Sequence, residues 1–170
     1  SNFRSIKEAQ TISFEATNDS NLEDYYIIRK DKYRILKIAT ILGANASGKT
    51  NIIKFLYGFR RWLLNIDNRV GEDIALYQPF KFDSATADAP TEFTMEFIAQ
   101  KVRYKYEVHF VRQQIILESL ISYPNGKQTQ LHERILLPDN KESDTIKFGS
   151  SLSSFKAFNV FKNQLLMSKF

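Results

Sequence analysis

The stretch that decides the fold lies at residues 43–50 and reads Gly43-Ala44-Asn45-Ala46-Ser47-Gly48-Lys49-Thr50. It matches G-x-x-x-x-G-K-[ST], the sequence pattern of the phosphate-binding loop. Such a loop joins a buried strand to the start of a helix. Both neighbours are expected here, because 33–42 has the pattern of a strand and about 49–66 has that of a helix.

The segment that follows the motif has helical periodicity. Apolar residues recur there every three or four positions, which places them on one face of an α-helix. These residues are Ile52, Phe55, Leu56, Phe59, Trp62, Leu63 and Ile66. Before the motif, 33–42 becomes nearly all apolar from Ile38 onward, which predicts a strand buried on both faces, as in a parallel sheet.

The chemistry of the motif follows from its backbone. Glycines at 43 and 48 have no Cβ, so successive N–H groups from about Asn45 to Thr50 can converge on phosphate oxygens at the helix N-terminus. The Lys49 ammonium would contact the β- and γ-phosphates, and the Thr50 hydroxyl would ligate Mg²⁺. The motif therefore predicts a bound nucleoside triphosphate with Mg²⁺, and the candidate binding residues are Gly43, Ala44, Asn45, Ala46, Ser47, Gly48, Lys49, Thr50 and Asn51. The alternative is an ordinary glycine-containing turn with an exposed lysine.

The flanks of this unit read as strands and loops. Alternation of apolar and polar residues predicts short strands at 2–6 and 10–16, and the polar stretch 17–24 predicts a surface loop. Residues 67–90 contain glycine, prolines and small polar residues, which predicts a long connection.

An antiparallel β meander is predicted over 91–134. If Gln100-Lys101 form a hairpin turn, Phe97 lies opposite Tyr104, and Glu96 opposite Lys105, so the same register satisfies both faces of the hairpin. The same register places Met95 opposite Tyr106 and Phe93 opposite Val108. Asn125-Gly126 is a strong two-residue turn signal and predicts a second hairpin that joins 114–123 to 127–131. Residues 135–170 read as a loop followed by a possible helix from about Asn159.

Composition limits the class of protein. The chain has 170 residues, of which 43% are hydrophobic and 25% charged, as in an ordinary globular domain. It has no cysteine and only two histidines, at 109 and 132, which argues against a disulfide framework and against structural zinc. No apolar stretch approaches the roughly 20 residues that span a bilayer, and no signal-peptide layout is seen, so a cytoplasmic protein without a membrane partner is expected. The net charge of +5 is a mild excess that would suit a polyanion but decides nothing alone.

Further stretches on both sides of the motif carry a family resemblance. They are Asn2-Phe3-Arg4-Ser5-Ile6, Thr11-Ile12-Ser13-Phe14, Ile41-Leu42, Asn51, Gln78-Pro79-Phe80-Lys81, Thr91-Glu92-Phe93, Tyr104-Lys105-Tyr106 and Leu117-Glu118-Ser119-Leu120. Together with the motif, they resemble the N-terminal lobe of bacterial AAA-family ATP-binding proteins of the ABC/SMC-like type. That group includes ATPases of abortive-infection, retron-associated and overcoming-lysogenization-defect systems.

The resemblance implies an α/β fold, a P-loop NTPase lobe in which a mixed sheet with the P-loop helix meets an antiparallel β subdomain. In such proteins a second lobe carries the Walker B acids, a signature motif and a switch histidine. No such motif is found here; the nearest candidate, 135–139, has Pro138 where a central strand cannot use a proline. Residues 1–170 are therefore expected to be the N-terminal portion of a head whose C-terminal lobe is absent, with 1–66, 67–90, 91–134 and 135–170 as its parts.

Function and partners are also implied by the resemblance. ATP would be sandwiched between two heads, and binding and hydrolysis in the full-length protein would drive homodimerisation and control an effector nuclease or toxin in antiphage defence. Arg4 would lie near the nucleotide and contact phosphate or adenine, unless it is a surface arginine. Gln78 could be the glutamine that ligates Mg²⁺ in ABC-type ATPases, although its position favours a loop residue.

Two alternative functions are a self-contained P-loop enzyme, such as a GTPase or a kinase, and a nucleic-acid-binding module. A self-contained GTPase needs an Asn-Lys-x-Asp motif, and Asn140-Lys141 is followed by Glu142-Ser143 instead. A kinase needs an acceptor site that the sequence does not reveal. A nucleic-acid-binding module would use Lys101, Arg103 and Lys105 on one strand, or the helix patch Lys54, Arg60 and Arg61. A solvated charged face explains both sets more simply.

Overall fold

A five-stranded antiparallel sheet forms the centre of the computed structural model, which describes residues 1–30, 32–64, 71–136, 145–152 and 160–169. A separate two-stranded hairpin and the helix after the motif lie earlier in the chain. In chain order, the helices and strands are α1 (Glu23–Tyr26), β1 (Ile27–Lys30), β2 (Tyr33–Leu36), α2 (Lys49–Leu63), α3 (Ser84–Ala87), β3 (Thr91–Ala99), β4 (Val102–Phe110), β5 (Ile115–Tyr123), β6 (Thr129–Ile135) and β7 (Thr145–Phe148). Short 3₁₀ turns occupy Pro124–Gly126, Ser150–Leu152 and Leu166–Lys169.

The predicted first hairpin is confirmed in its register. Phe97 pairs with Tyr104 and Glu96 with Lys105, as the alternation of the two strands required. The turn residues Gln100 and Lys101 both have positive φ, at 48° and 67°, which is the backbone of a type I′ turn. The twist of that turn matches the twist of the strands, which explains why the hairpin closes with two residues.

The second hairpin turns where it was predicted, but its connection is longer than two residues. Asn125 and Gly126 have positive φ values of 53° and 80°, as the sequence signal requires. The last paired residues are Ser122 and Thr129, and a register shift follows between Leu120 and Ile121. The strands are therefore joined by a short 3₁₀ turn, and β6 continues through Ile135 into a pairing with β7 that was not predicted.

The predicted strands at the N-terminus are wrong. Residues 2–6 form a tight turn closed by reciprocal hydrogen bonds between Phe3 and Ile6, each 2.8 Å long. Residues 10–16 make a single bridge, from Glu15 to Ile35. Positive φ at Asn2 and Arg4 breaks the extended backbone that the alternation suggested.

The apolar end of the predicted strand 33–42 is also wrong. Strand β2 ends at Leu36, and no strand continues through 38–42. The side chains there are exposed, Ile38 by 66% and Leu42 by 87%. A β-strand requires backbone hydrogen bonds to a neighbouring strand. Among the described residues, no strand pairs with 38–42. Both described sheets are antiparallel, so the described residues do not form the expected mixed sheet.

Helix α2 is confirmed from Lys49 to Leu63, while positions 65–66 of the predicted helix lie outside the described residues. Its buried side chains pack on the large sheet. The Phe59 ring lies 4.7 Å from that of Phe93 and 5.9 Å from that of Tyr106. Trp62 meets Phe110 edge-on at 4.8 Å. This aromatic contact between α2 and the sheet holds the helix that begins at the motif.

The predicted helix from about 159 is wrong in the described part of that region, because only Leu166–Lys169 is helical and that turn is 3₁₀. The rest of 160–169 is held by side chains from elsewhere. Trp62 Nε1 donates to the carbonyl of Asn163 at 2.9 Å. Arg134 Nη1 donates to the carbonyl of Gln164 at 2.8 Å. Because tertiary contacts fix this segment, its sequence periodicity did not decide its conformation.

Candidate functional site

The backbone of the Gly43–Thr50 loop has the conformation expected of an anion cradle. Ala46 has a φ of 62° and Gly48 a φ of 94°, so left-handed residues alternate with others along the loop. Successive N–H groups in such a segment point to one side and form an anion-binding concavity. A Cβ on Gly43 would lie 2.9 Å from Ser47 Oγ, so a side chain at position 43 would require the Ser47 hydroxyl to rotate away.

The helix start completes this arrangement. Gly48 caps α2 without a side-chain hydrogen bond, and no acidic residue lies in the first turn. The N–H groups of Lys49 and Thr50 have no acceptor within a helix, as in the first turn of any α-helix. They add to the positive end of the helix dipole, where a phosphate group is stabilised.

Lys49 lies within the loop rather than away from it. Its ammonium donates to the carbonyls of Gly43 at 2.8 Å and Ala44 at 2.6 Å. Ser47 Oγ is a further contact, at 3.5 Å. A phosphate oxygen would replace these neutral acceptors with a charged one, and charge-assisted hydrogen bonds are roughly twice as strong. The lysine is therefore already positioned at the loop that the motif predicts it to serve.

The other candidate residues are accessible. The backbone from Gly43 to Ser47 is exposed, as is Thr50, while Gly48 and Asn51 are half-buried. An exposed hydroxyl beside a helix N-terminus suits a Mg²⁺ ion, which keeps most of its waters and binds few protein oxygens. The residues present thus fit Mg-ATP.

The Asn51 side chain is directed at the N-terminal turn. Its Nδ2 donates to Ser5 Oγ at 2.8 Å. That hydroxyl also lies 3.0 Å from the position a Cβ on Gly48 would take. Ser5 was absent from the residues predicted for the site, because 2–6 was interpreted as a strand. Asn2, a residue that tolerates positive φ, was the one local signal of a turn.

Arg4 belongs to the same turn and lies beside Gln78. The Arg4 N–H donates to the Gln78 carbonyl at 2.6 Å, and its guanidinium lies 5.6 Å from the centre of the Phe3 ring. Its Nε is buried without a hydrogen-bond partner among the described residues. Gln78 Nε2 bonds its own loop, to the carbonyl of Ala75 at 2.8 Å. A backbone hydrogen bond therefore joins the N-terminal turn to the loop that contains Gln78.

The basic strand considered for nucleic acid is largely neutralised. Arg103 contacts Glu96 at 3.4 Å and lies over the Tyr123 ring at 4.1 Å. Lys105 contacts Glu107 at 3.5 Å, although the register places it opposite Glu96. The pairing of the strands was predicted correctly, but the expected ion pair between Glu96 and Lys105 is replaced by diagonal and same-strand contacts.

A second polar cluster is buried in the sheet, remote in sequence from the motif. Glu118 is fully buried and accepts from the Tyr106 hydroxyl at 2.9 Å and from the N–H groups of Leu166 and Met167 at 2.8 and 2.9 Å. Burial raises the pKa of Glu118, against the opposing effect of those donors. The cluster fixes the 160–169 segment to β5, which is a structural role.

His132 lies beside this cluster, with Nε2 3.8 Å from Glu118 Oε1. Burial lowers its pKa to about 4, so the imidazole is neutral at physiological pH. His109 faces Glu107 at 3.0 Å on the sheet surface. Neither histidine lies near the motif in sequence, and their described contacts join both of them to glutamates of the large sheet.

The match to a family model decides the class of this domain. Residues 38–160, more than two thirds of the chain, match the model described as "AAA domain, putative AbiEii toxin, Type IV TA system". The chain belongs to this family. It is a bacterial AAA/ABC-like ATPase domain of the abortive-infection type, and the resemblance seen in the sequence is confirmed.

Membership gives the AAA domain its general chemistry. Domains of this class are P-loop NTPases that bind nucleotide, in general ATP with Mg²⁺. The matched region begins at Ile38 and contains the whole motif. No curated protein and no solved structure matches the chain. Among the described residues, no helix is long and apolar enough to span a membrane.

Proposed function

We propose that this AAA domain binds Mg-ATP at the Gly43–Thr50 loop and that the full-length protein hydrolyses it. The observation that carries the proposal is the position of the Lys49 ammonium, bonded to the loop carbonyls of Gly43 and Ala44 at the start of α2. Loop amides, helix dipole and ammonium then act on the same polyphosphate.

In this mechanism the loop amides orient the β- and γ-phosphates, and Lys49 stabilises the charge that develops as water attacks the γ-phosphorus. The Thr50 hydroxyl would hold Mg²⁺, which would supply positive charge to the phosphates. Arg4, whose Nε has no hydrogen-bond partner among the described residues, is proposed as a further contact to the nucleotide. The carboxylate that activates water would come from outside residues 1–170.

We further propose an ABC/SMC-like head in which residues 1–170 form the N-terminal portion. The exposed apolar side chains of Ile38, Ile41 and Leu42 support a covering second lobe, because such a run normally lies in the interior of a parallel sheet. ATP would then join two heads, and dimerisation would control an effector nuclease or toxin in antiphage defence. Nucleic acid is a weaker candidate partner, since the basic strand is paired with acids.

The direct test is calorimetric titration of Mg-ATP into Lys49→Ala. Loss of the ammonium removes a charge-assisted contact to phosphate, so we expect affinity to fall about 100-fold or more while the melting temperature stays nearly unchanged. Lys54→Ala is the matched control, because Lys54 is an exposed lysine one turn along the same helix. Undiminished affinity in Lys49→Ala would contradict the assignment.

A further inference from the structure

The first turn of α2 is joined to the N-terminal turn by one side-chain hydrogen bond. Asn51 Nδ2 donates to Ser5 Oγ at 2.8 Å, across 46 positions of sequence. Asn51 follows directly after the threonine that ends the motif. The bond therefore acts on the turn of helix whose amides would receive the phosphates.

The N-terminal turn is held in place by hydrogen bonds of Asn2. Asn2 is buried, and its side-chain amide donates to the carbonyls of Thr86 and Ala89 at 2.9 and 2.8 Å, while its oxygen accepts from Phe80 N–H at 2.8 Å. Its backbone carbonyl accepts from the Thr91 hydroxyl at 2.8 Å. These hydrogen bonds hold the turn against residues 80–91, the segment that leads into β3.

A second contact brings the turn against the loop. Phe3 is buried and meets Phe55, one turn along α2 from Asn51, edge-on at 5.0 Å. Ser5 lies so close to Gly48 that a Cβ there would approach its hydroxyl to 3.0 Å. Packing therefore sets the distance between turn and helix, and the hydrogen bond from Asn51 sets the rotation of the first helical turn.

We propose that Asn51 and Ser5 are positioning residues for nucleotide binding, which hold the phosphate-binding end of α2 in its productive orientation against the N-terminal turn. This inference rests on the proposed function. It assigns the Asn51 side chain to Ser5 rather than to the nucleotide. A site whose groups are held before the ligand arrives binds more tightly, because less freedom is lost on binding.

The test is a double-mutant cycle with Ser5→Ala, Asn51→Ala and the double variant, in which Mg-ATP affinity is measured by calorimetry. We expect each single variant to lose about fivefold in affinity, the usual effect of one hydrogen bond. The double variant should be no weaker than either single variant, because both remove the same contact. Ser5→Thr keeps a hydroxyl and should bind as the wild type does.

Melting temperatures separate positioning from plain stabilisation. Ser5 is exposed in a turn, and Asn51 is half-buried in the first turn of α2, where alanine is a strong helix former, so we expect each variant to melt within about 3 °C of the wild type. Three results would each overturn the inference. They are wild-type affinity in both single variants, additive losses of affinity in the double variant, and weaker Mg-ATP binding by Ser5→Thr than by the wild type.

Lys49→Ala is run in the same series. If it loses binding while Ser5→Ala and Asn51→Ala do not, the proposed function stands and the positioning role is wrong. If the wild type itself binds no Mg-ATP, the proposed function fails and the positioning role fails with it.

Discussion

Apolar side chains are buried in the large sheet but exposed in the segment before the motif. In the sheet, Tyr106, Val108 and Phe110 are completely buried. Before the motif, Ile38 and Leu42 are exposed to solvent although their run is as apolar as any strand in the chain. The sheet closes its own core with neighbouring strands and α2. The segment before the motif lacks such a neighbour among the described residues.

This difference separates the parts of the domain that stabilise it from the part for which we propose nucleotide binding. Burial of aromatic surface against β3 and β4 supplies the main favourable term in folding. The loop from 43 to 47 is exposed, and its backbone groups and the Lys49 ammonium add little to the packed core. Substitutions in the large sheet should therefore change the free energy of unfolding, whereas substitutions in the loop should change the affinity for Mg-ATP.

The largest contrast is expected between Phe59→Ala and Leu42→Ala. Phe59 is buried against Phe93 and Tyr106, so its truncation leaves a cavity and should lower the free energy of unfolding by about 3–5 kcal/mol. Leu42 is exposed in residues 1–170, so without the proposed second lobe its truncation should change that free energy by less than about 0.5 kcal/mol. Urea denaturation of both variants measures the difference. A large loss in Leu42→Ala would show that the run before the motif is packed after all.

A smaller change in the free energy of unfolding is expected when the pH is lowered, because of His132. The pKa of His132 falls from its usual 6.5 to about 4 in the folded protein, because burial disfavours the imidazolium. Below pH 6.5 the unfolded chain binds a proton that the folded protein does not, so stability from this group is present above pH 6.5 and is lost as pH falls toward 4. The wild type should lose about 2–3 kcal/mol from it between pH 7 and pH 4.5.

His132→Gln isolates that effect. Glu118, whose pKa is raised by burial, favours the folded state as pH falls and so partly masks the histidine in the wild type. It is present in both proteins, so the difference between their stability curves reports the imidazole. Parallel curves from pH 7 to 4.5 would show that His132 takes up a proton in the folded state.

The smallest effect is expected at the sheet surface. Arg103 contacts Glu96 and lies over Tyr123, so Arg103→Ala should cost about 0.5–1 kcal/mol, and Glu96→Ala less. Raising the salt concentration should remove most of the Glu96 contribution and leave that of the Tyr123 contact. Denaturation at low and high salt measures both. Equal losses in the two variants would contradict a role for the ring.

The sequence predicted those features that depend on neighbouring residues. The register of β3 and β4 followed from alternation and from a two-residue turn, and α2 followed from its three-and-four spacing. The phosphate-binding role of the loop is also a prediction from local chemistry, namely the glycine spacing and the lysine of the motif, and it stays a prediction.

Features that depend on distant contacts were missed. The side-chain bonds of Asn2 to Thr86 and Ala89 convert an alternating stretch into a turn. Glu118 and Arg134 hold 160–169 in a form that its apolar spacing did not indicate. Ser5 joined the site through Asn51, a bond across 46 positions that no local pattern encodes.

Trp62 is the only tryptophan in the chain, and its indole N–H bonds the carbonyl of Asn163 while its ring rests on Phe110. The domain therefore carries an intrinsic fluorophore at the far end of the helix that begins at the loop. A shift of its emission maximum on addition of Mg-ATP would report, without any label, that ligand capture at one end of α2 is sensed at the other.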